Sequence, residues 1–167
     1  MAALDALAQL LRVTADRGWV ESATWIPTPP ACPDIDPGSD RLHLLLRRAF
    51  AGYDLDLRPA LACEAGFPDR WLERRTSMAA LYGRMRVDRA ALTSVVLRER
   101  VAIFDDVLAS GKHYHCARQR IGEVTQLSKS SYAVPICGVF LVRRIPRREP
   151  GRTAARTAGT GTGAGSV

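Results

Sequence analysis

Lysine, aromatic residues and cysteine are scarce in this chain of 167 residues. Only two of its 24 basic residues are lysines, aromatic residues make up 7%, and the four cysteines are widely separated. No two cysteines form a C-x-x-C pair, so spacing supports neither a zinc site nor a disulfide framework. We expect the cysteines to be reduced and to pack in the interior.

Long hydrophobic runs are also missing. The longest apolar stretch, residues 134–142, is far shorter than the roughly 20 residues that a membrane-spanning helix needs. The N-terminus carries an acid at Asp5 and has no positively charged start, which is not the pattern of a signal peptide. We therefore expect a cytoplasmic protein without a membrane partner.

The composition that remains is that of one folded domain and a basic tail. Hydrophobic residues make up 47% of the chain and charged residues 25%, close to globular averages. Residues 143–156 hold six arginines and one glutamate, which supply most of the net charge of +7. We predict one domain over residues 1–146, opening with an N-terminal helix over 1–19, and a disordered tail over 147–167.

Hydrophobic spacing predicts helices and strands in alternation along the first half of the chain. The N-terminal helix ends at Gly18, and a strand over residues 23–26 enters a rigid proline-rich loop at residues 27–30. A second helix is capped by Ser39 and ended by Gly52. The apolar faces of these two helices are Leu4, Leu7 and Leu11, and then Leu42, Leu45, Leu46, Ala49 and Phe50.

Less regular chain follows. Residues 55–61 are weakly strand-like and interrupted by Pro59, and residues 63–70 are polar and rich in turn residues. A third helix begins at the cap Thr76. Its apolar face is Met78, Leu81, Tyr82 and Met85.

The most informative segment starts at residue 101. An apolar strand over 101–104 is followed by Asp105 and Asp106, by a turn of small residues at 109–111, and by a helix. The face of that helix is Tyr114, Ala117, Ile121 and Val124. Residues 134–142 then form a strand buried on both faces, so the order predicts a parallel, right-handed crossover. The fold class is α/β, three-layer, with a mostly parallel sheet flanked by helices.

The chemistry of this segment suits a sugar phosphate. Ligands of open α/β sheets bind beyond the carboxyl ends of the strands. The start of a helix offers free N–H groups to a phosphate, and the hydroxyl of Ser110 adds a donor. Two acids beside an anion site are reasonable when a neutral hydroxylated group or a cation lies between them, and ribose 5-phosphate fits that pattern.

Residues 101–111 also resemble the phosphoribosyl-pyrophosphate motif of type I phosphoribosyltransferases, which has an apolar strand, two acids, two apolar residues and Thr-Thr-Gly or a variant. The first strand with its proline loop, Arg75 at a helix start and the strand at 138–144 agree in order. Over about residues 20–145 the pattern is similar to an uncharacterised bacterial group of this fold, with some likeness to competence-associated members.

The resemblance implies roles for individual residues. The catalytic acids Asp105 and Asp106 would bind the ribose 2- and 3-hydroxyls, and the acceptor of the ribosyl 5-phosphate would be an unidentified nitrogen nucleophile. Mg²⁺ would be held mainly by substrate oxygens, without direct protein ligands. The remaining substrate-binding residues would be Ala109, Ser110, Gly111, Lys112 and His113 around the 5-phosphate, Thr28 near pyrophosphate, and Arg74 or Arg75 on the phosphates.

Two departures from the family pattern weaken the expectation of activity. Ala109 and Ser110 stand where threonines are usual, and Lys112 with His113 replace a small residue and a threonine. A non-catalytic module of the same fold that senses phosphoribosyl pyrophosphate or a nucleotide is therefore an alternative. A homodimer fits either hypothesis.

Other interpretations have less support. A Walker B strand would need a G-x-x-x-x-G-K-[ST] loop earlier in the chain, and a receiver domain would need a further acid and lysine that cannot be placed. His113 and His115 point to opposite sides of a helix, which disfavours a shared metal ion. The arginine-rich tail would suit nucleic acid or an acidic partner, but the segment lacks aromatic residues for stacking, so a solvated tail is favoured.

Overall fold

The computed structural model describes residues 2–29, 41–64, 77–108, 110–127 and 134–143. The helices are α1 Ala2–Thr14, α2 Arg17–Glu21, α3 Arg41–Ala49, α4 Met78–Arg84, α5 Arg89–Thr93 and α6 Lys112–Leu127. The strands are β1 Ala23–Pro27, β2 Asp56–Leu57, β3 Leu61–Cys63, β4 Met85–Val87, β5 Arg100–Leu108 and β6 Ile136–Arg143. The expected tail and the cap Ser39 lie outside these residues.

Four strands form one parallel sheet in the order β2-β1-β5-β6. The register of the central pair runs from Ala23 opposite Arg100 to Pro27 opposite Phe104. β5 also pairs in parallel with β6, and α6 lies between these two strands in the chain. The predicted α/β fold with a parallel strand–helix–strand crossover is confirmed.

Side chains alternate along the central strands between two buried clusters. Trp25 and Phe104 face a cluster that includes residues of α1 and α3, whereas Ile26 and Ile103 face a cluster that includes residues of α4, α5 and α6. Because both faces of the sheet are covered, β1 is buried at every position. The helices flank the sheet on both sides, which agrees with a three-layer arrangement.

The N-terminal region differs from the prediction at Gly18. α1 ends at Thr14, and Gly18 lies inside the short helix α2 instead of ending the first helix. The reason is a capping interaction, since the carboxylate of Asp16 accepts a hydrogen bond of 2.7 Å from the N–H of Trp19 and starts a new helix. The first nineteen residues are thus two helices.

Pro27 was predicted in the loop, but it is the last residue of β1. The N–H of Thr28 donates to the carbonyl of Phe104 at 2.9 Å, and the carbonyl of Trp25 accepts from the N–H of Arg58 at 2.9 Å. In β1, the backbone N–H and C=O groups of odd-numbered residues therefore point toward β2. β2 ends at Leu57. Proline fits because its missing N–H would have had no ladder partner there.

A second, two-stranded antiparallel sheet was not predicted. β3 and β4 pair from Leu61 opposite Val87 to Cys63 opposite Met85, with α4 in the chain between them. Met85, assigned to a helix face, is therefore the first residue of a strand. Ser77 caps α4 by accepting from the N–H of Ala80 at 3.1 Å, which replaces the predicted cap Thr76, a residue outside the described chain.

The last two strands correct two further expectations. β5 does not stop at Phe104 but continues through both acids to Leu108, because β6 supplies a pairing partner as far as Arg143. β6 lies at one end of the strand order, and its side chains at positions 136–141 are only partly buried. Ile136 packs against one buried cluster and Cys137, Val139 and Leu141 against the other, so both faces of β6 meet the core but neither is fully buried as predicted.

Two smaller expectations concern the membrane and the thiols. Within the described ranges no helix is both long and apolar enough to cross a membrane. Cys63, Cys116 and Cys137 are free thiols, and Cys116 is buried in the core against α4. Burial raises the pKa of the Cys116 thiol, as expected for a packing residue.

Candidate functional site

The strand order reverses between β1 and β5. From β1 the chain moves to β2 on one side and later to β5 and β6 on the other. β1 ends at Pro27, opposite Phe104, while β5 runs four residues further beside β6. The carboxyl ends of β1 and β5 therefore lie where the strand order reverses, which is the usual ligand position in open α/β sheets. We call this position the β1–β5 crevice.

Asp105 is the more enclosed of the two acids in the crevice. Its Oδ1 accepts the N–H of Asp106 at 2.9 Å, and its carboxylate accepts a hydrogen bond from the hydroxyl of Thr28. Burial raises the pKa of Asp105, and the charge of Asp106 acts in the same direction. The nearby His113 and the Thr28 hydroxyl oppose this rise. The structure thus places three predicted site residues, Thr28, Asp106 and His113, around the carboxylate of Asp105.

Asp106 faces the other side of the sheet, as the alternation along a strand requires. Its Oδ2 forms an ion pair with Nη2 of Arg41, the first residue of α3. The Asp106 side chain is 28% exposed and that of Arg41 is 54% exposed, so this pair borders solvent. The two acids are therefore held by different layers: Asp105 by the end of β1 and α6, and Asp106 by α3.

The turn between β5 and α6 follows the two acids and, unlike them, favours a negatively charged group. Gly111 has a φ of 74°, a left-handed conformation that an L residue adopts only with strain. Ser110 is exposed, and its Oγ accepts the N–H of Lys112 at 3.4 Å. Since α6 has sixteen residues and begins at Lys112, its first-turn N–H groups and helix dipole favour an anion here.

Thr28 is 3% exposed, and both of its polar donors are engaged within the chain. Its N–H donates to the Phe104 carbonyl and its hydroxyl to Asp105. Thr28 was expected near pyrophosphate, and in this structure its side chain orients Asp105. A direct contact with pyrophosphate would require Thr28 to give up one of these bonds.

Three of the expected binding residues cannot be placed. Ala109, Arg74 and Arg75 lie outside the described residues. Sequence reasoning in turn missed Arg41, which is 65 positions from its partner Asp106. No local pattern links residues this far apart, and the only available signal was a basic residue at the start of the helix after the proline loop.

The described residues include no group of three or more histidine, cysteine or acidic side chains that could hold a metal ion. Two carboxylates at the crevice are nevertheless compatible with Mg²⁺ bound mainly through phosphate oxygens, since this ion commonly takes one or two carboxylates and substrate phosphates.

Comparison with protein-family models, with curated proteins and with solved structures finds no match for this chain.

Proposed function

We propose that this chain is a type I phosphoribosyltransferase-like protein, which binds phosphoribosyl pyrophosphate with Mg²⁺ and transfers the ribosyl 5-phosphate to a nitrogen acceptor. The observation that supports this most is the order of groups at the β1–β5 crevice. Two acids near the end of β5 are followed within a few residues by a glycine turn and the start of α6. This order suits a ligand with sugar hydroxyls at one end and a phosphate at the other.

The acids have the capacity to accept sugar hydroxyls. An ionised carboxylate offers about four lone-pair sites, and Asp105 uses two of them for Thr28 and the N–H of Asp106. A ribose hydroxyl can donate to a remaining site without breaking either bond. Because Asp105 is largely buried, such a bond is shielded from water and gains strength.

The turn would hold the 5-phosphate. The left-handed Gly111 lets the backbone of residues 110–113 curve at the start of α6, where N–H groups are free of intrahelical partners. Lys112 adds a cation, and Ser110 adds a hydroxyl at an exposed position. Backbone donors supply most of such a site, so the replacement of the usual threonines by Ala109 and Ser110 leaves phosphate binding intact.

Transfer breaks the bond between ribose C1 and the pyrophosphate oxygen and forms a bond from C1 to the acceptor nitrogen. In phosphoribosyltransferases the transition state resembles an oxocarbenium ion, so the protein acts by positioning and electrostatics. The carboxylates of Asp105 and Asp106 would stabilise the positive charge on the sugar. Mg²⁺, when bound, would neutralise charge on the leaving pyrophosphate.

A sensor of phosphoribosyl pyrophosphate without transfer activity is the second candidate. Two observations favour it: Asp106 is already ion-paired with Arg41, and the turn has one hydroxyl fewer than the family pattern. A sensor needs only binding at the crevice, with the bound state read by another molecule. Both functions share the ligand and differ in turnover.

Release of pyrophosphate separates the two functions. Purified protein is incubated with phosphoribosyl pyrophosphate, Mg²⁺ and a panel of nucleobase acceptors, and pyrophosphate is measured over time. The enzyme predicts acceptor-dependent release that Asp105→Asn with Asp106→Asn abolishes and that Glu99→Gln, at the opposite end of the same strand region, leaves unchanged. Binding without release identifies the sensor, and release undiminished in the double variant contradicts an enzymatic role for the acids.

A further inference from the structure

The ion pair between Arg41 and Asp106 places a cation at the β1–β5 crevice that no sequence motif assigns. Arg41 opens α3, and the adjacent Leu42 is 7% exposed within the core. The backbone of Arg41 is thus anchored at the carboxyl ends of the strands, while its side chain remains 54% exposed. Within the described chain the contact found for its guanidinium is with Asp106.

Arg74 and Arg75, expected on the phosphates, lie outside the described residues, so we looked among the described residues for a donor to the second anionic group of the proposed ligand. Thr28, expected near pyrophosphate, uses its N–H for Phe104 and its hydroxyl for Asp105. Lys112 lies at the turn, where the 5-phosphate is expected. A guanidinium has five N–H donors in a planar fork that fits two phosphate oxygens at once, and Arg41 is placed beside Asp106.

We propose that Arg41 exchanges partners when ligand binds, leaving Asp106 and binding the pyrophosphate group of phosphoribosyl pyrophosphate. The exchange rests on the proposed function. In the ligand-free chain Arg41 is paired with Oδ2 of Asp106, and when Arg41 leaves, this oxygen can accept a ribose hydroxyl. An ion pair that borders solvent contributes little free energy, so a ligand can break it readily, whereas a bidentate arginine–phosphate contact is among the stronger hydrogen-bonded pairs.

The exchange makes Arg41 a determinant of ligand selectivity. A ligand with a pyrophosphate group gains a contact with Arg41 that offsets the lost ion pair. Ribose 5-phosphate lacks that group and must compete with Arg41 for Asp106 without this gain. Removing the guanidinium should therefore weaken the binding of a ligand with a pyrophosphate group and leave the binding of ribose 5-phosphate unweakened.

Titration calorimetry with three probes tests the exchange. Phosphoribosyl pyrophosphate, inorganic pyrophosphate and ribose 5-phosphate are each titrated with Mg²⁺ into wild type, Arg41→Gln, Arg41→Lys and the control Arg47→Gln. Arg47 is exposed on the same helix and contacts His43. Thermal melting of each variant establishes that it is folded.

We expect Arg41→Gln to lower the affinity for both pyrophosphate-containing probes by roughly tenfold to a hundredfold. The affinity for ribose 5-phosphate should stay the same or rise by up to about fivefold, because Arg41 no longer competes for Oδ2 of Asp106. Arg41→Lys keeps the positive charge but lacks the planar guanidinium, so its affinity for the pyrophosphate-containing probes should lie between those of wild type and Arg41→Gln. Arg47→Gln should match wild type.

Equal loss of affinity for all three probes in folded Arg41→Gln would overturn the exchange, since Arg41 would then only organise the crevice. Unchanged affinity for phosphoribosyl pyrophosphate would overturn it as well. In both cases wild-type binding still supports the proposed function. Wild type that binds none of the probes rejects the proposed function, and the exchange with it.

Discussion

Replacing Arg58 by methionine should strongly destabilise the fold. Arg58 is 8% exposed, and its guanidinium donates to both carboxylate oxygens of Asp56 at 2.8 Å. It also donates to the carbonyls of Leu92, Val95 and Val96 at 3.2, 2.9 and 3.0 Å. One side chain thereby ties the end of the edge strand β2 to α5 and to the segment that follows α5.

Methionine keeps the aliphatic part of the arginine side chain but removes all the hydrogen bonds that the guanidinium donates to these acceptors. Removing one partner of a buried ion pair typically costs about 3–5 kcal/mol. Asp56 retains the hydroxyl of Thr24 at 2.6 Å and a longer contact of 3.9 Å with Arg98. We therefore expect a loss near the lower end, about 3 kcal/mol in the free energy of unfolding.

The loss should depend on pH. Burial alone would raise the pKa of Asp56, but hydrogen bonds from Arg58 and Thr24 hold it below the ordinary value. A carboxyl with a lowered folded pKa stabilises the protein above its unfolded pKa, and this contribution disappears as the pH falls through the folded pKa. The difference between wild type and Arg58→Met should therefore shrink in acid.

Urea unfolding followed by tryptophan fluorescence measures these differences, since Trp25 is 1% exposed in the folded core. The matched control is Arg86→Met, whose ion pair with Glu64 joins side chains that are 54% and 51% exposed. That variant should lose less than about 1 kcal/mol. Similar losses for the two variants at pH 7 would refute the assigned role of Arg58.

Two further predictions concern the crevice and the β6 packing. Because burial raises the pKa of Asp105, its contribution to folding is lost as the pH rises through the folded pKa. Asp105→Asn should therefore be up to about 1 kcal/mol more stable than wild type at pH 7, and it should show no gain in stability at pH 3. Urea unfolding measures both differences, and an absence of any gain at pH 7 would contradict the prediction. Gly138→Ala would place a Cβ 2.7 Å from the Phe140 ring and 2.8 Å from the Tyr114 ring. Thermal melting should show a loss of about 1–3 kcal/mol, and an unchanged melting temperature would mean that both rings can shift freely.

The sequence was sufficient for the crossover that builds the crevice. The helical spacing of Ala117, Ile121 and Val124 is local, and all three are buried on one face of α6 in the structure. The apolar runs on either side of this helix become β5 and β6. The helical spacing of apolar residues and the order of the elements along the chain determine this strand–helix–strand unit, because each buried face must pack against its neighbours in the chain.

Features that depend on distant partners were not predictable. β3 and β4 have three residues each, too few for an alternation of polar and apolar residues to be recognised. The continuation of β5 through Asp105 depends on pairing with β6, and Pro27 is accommodated by the early end of β2. The contact of Arg41 with Asp106 likewise arises only when α3 packs on the sheet.

We propose above all that the acids of the β1–β5 crevice bind phosphoribosyl pyrophosphate. The most direct test is isothermal titration of this ligand into wild-type protein with and without Mg²⁺, beside Asp105→Asn with Asp106→Asn and the control Glu99→Gln. The account predicts Mg²⁺-dependent binding to wild type and to the control that the double variant loses. Absence of binding to wild type at millimolar ligand, or equal binding by the double variant, would contradict it.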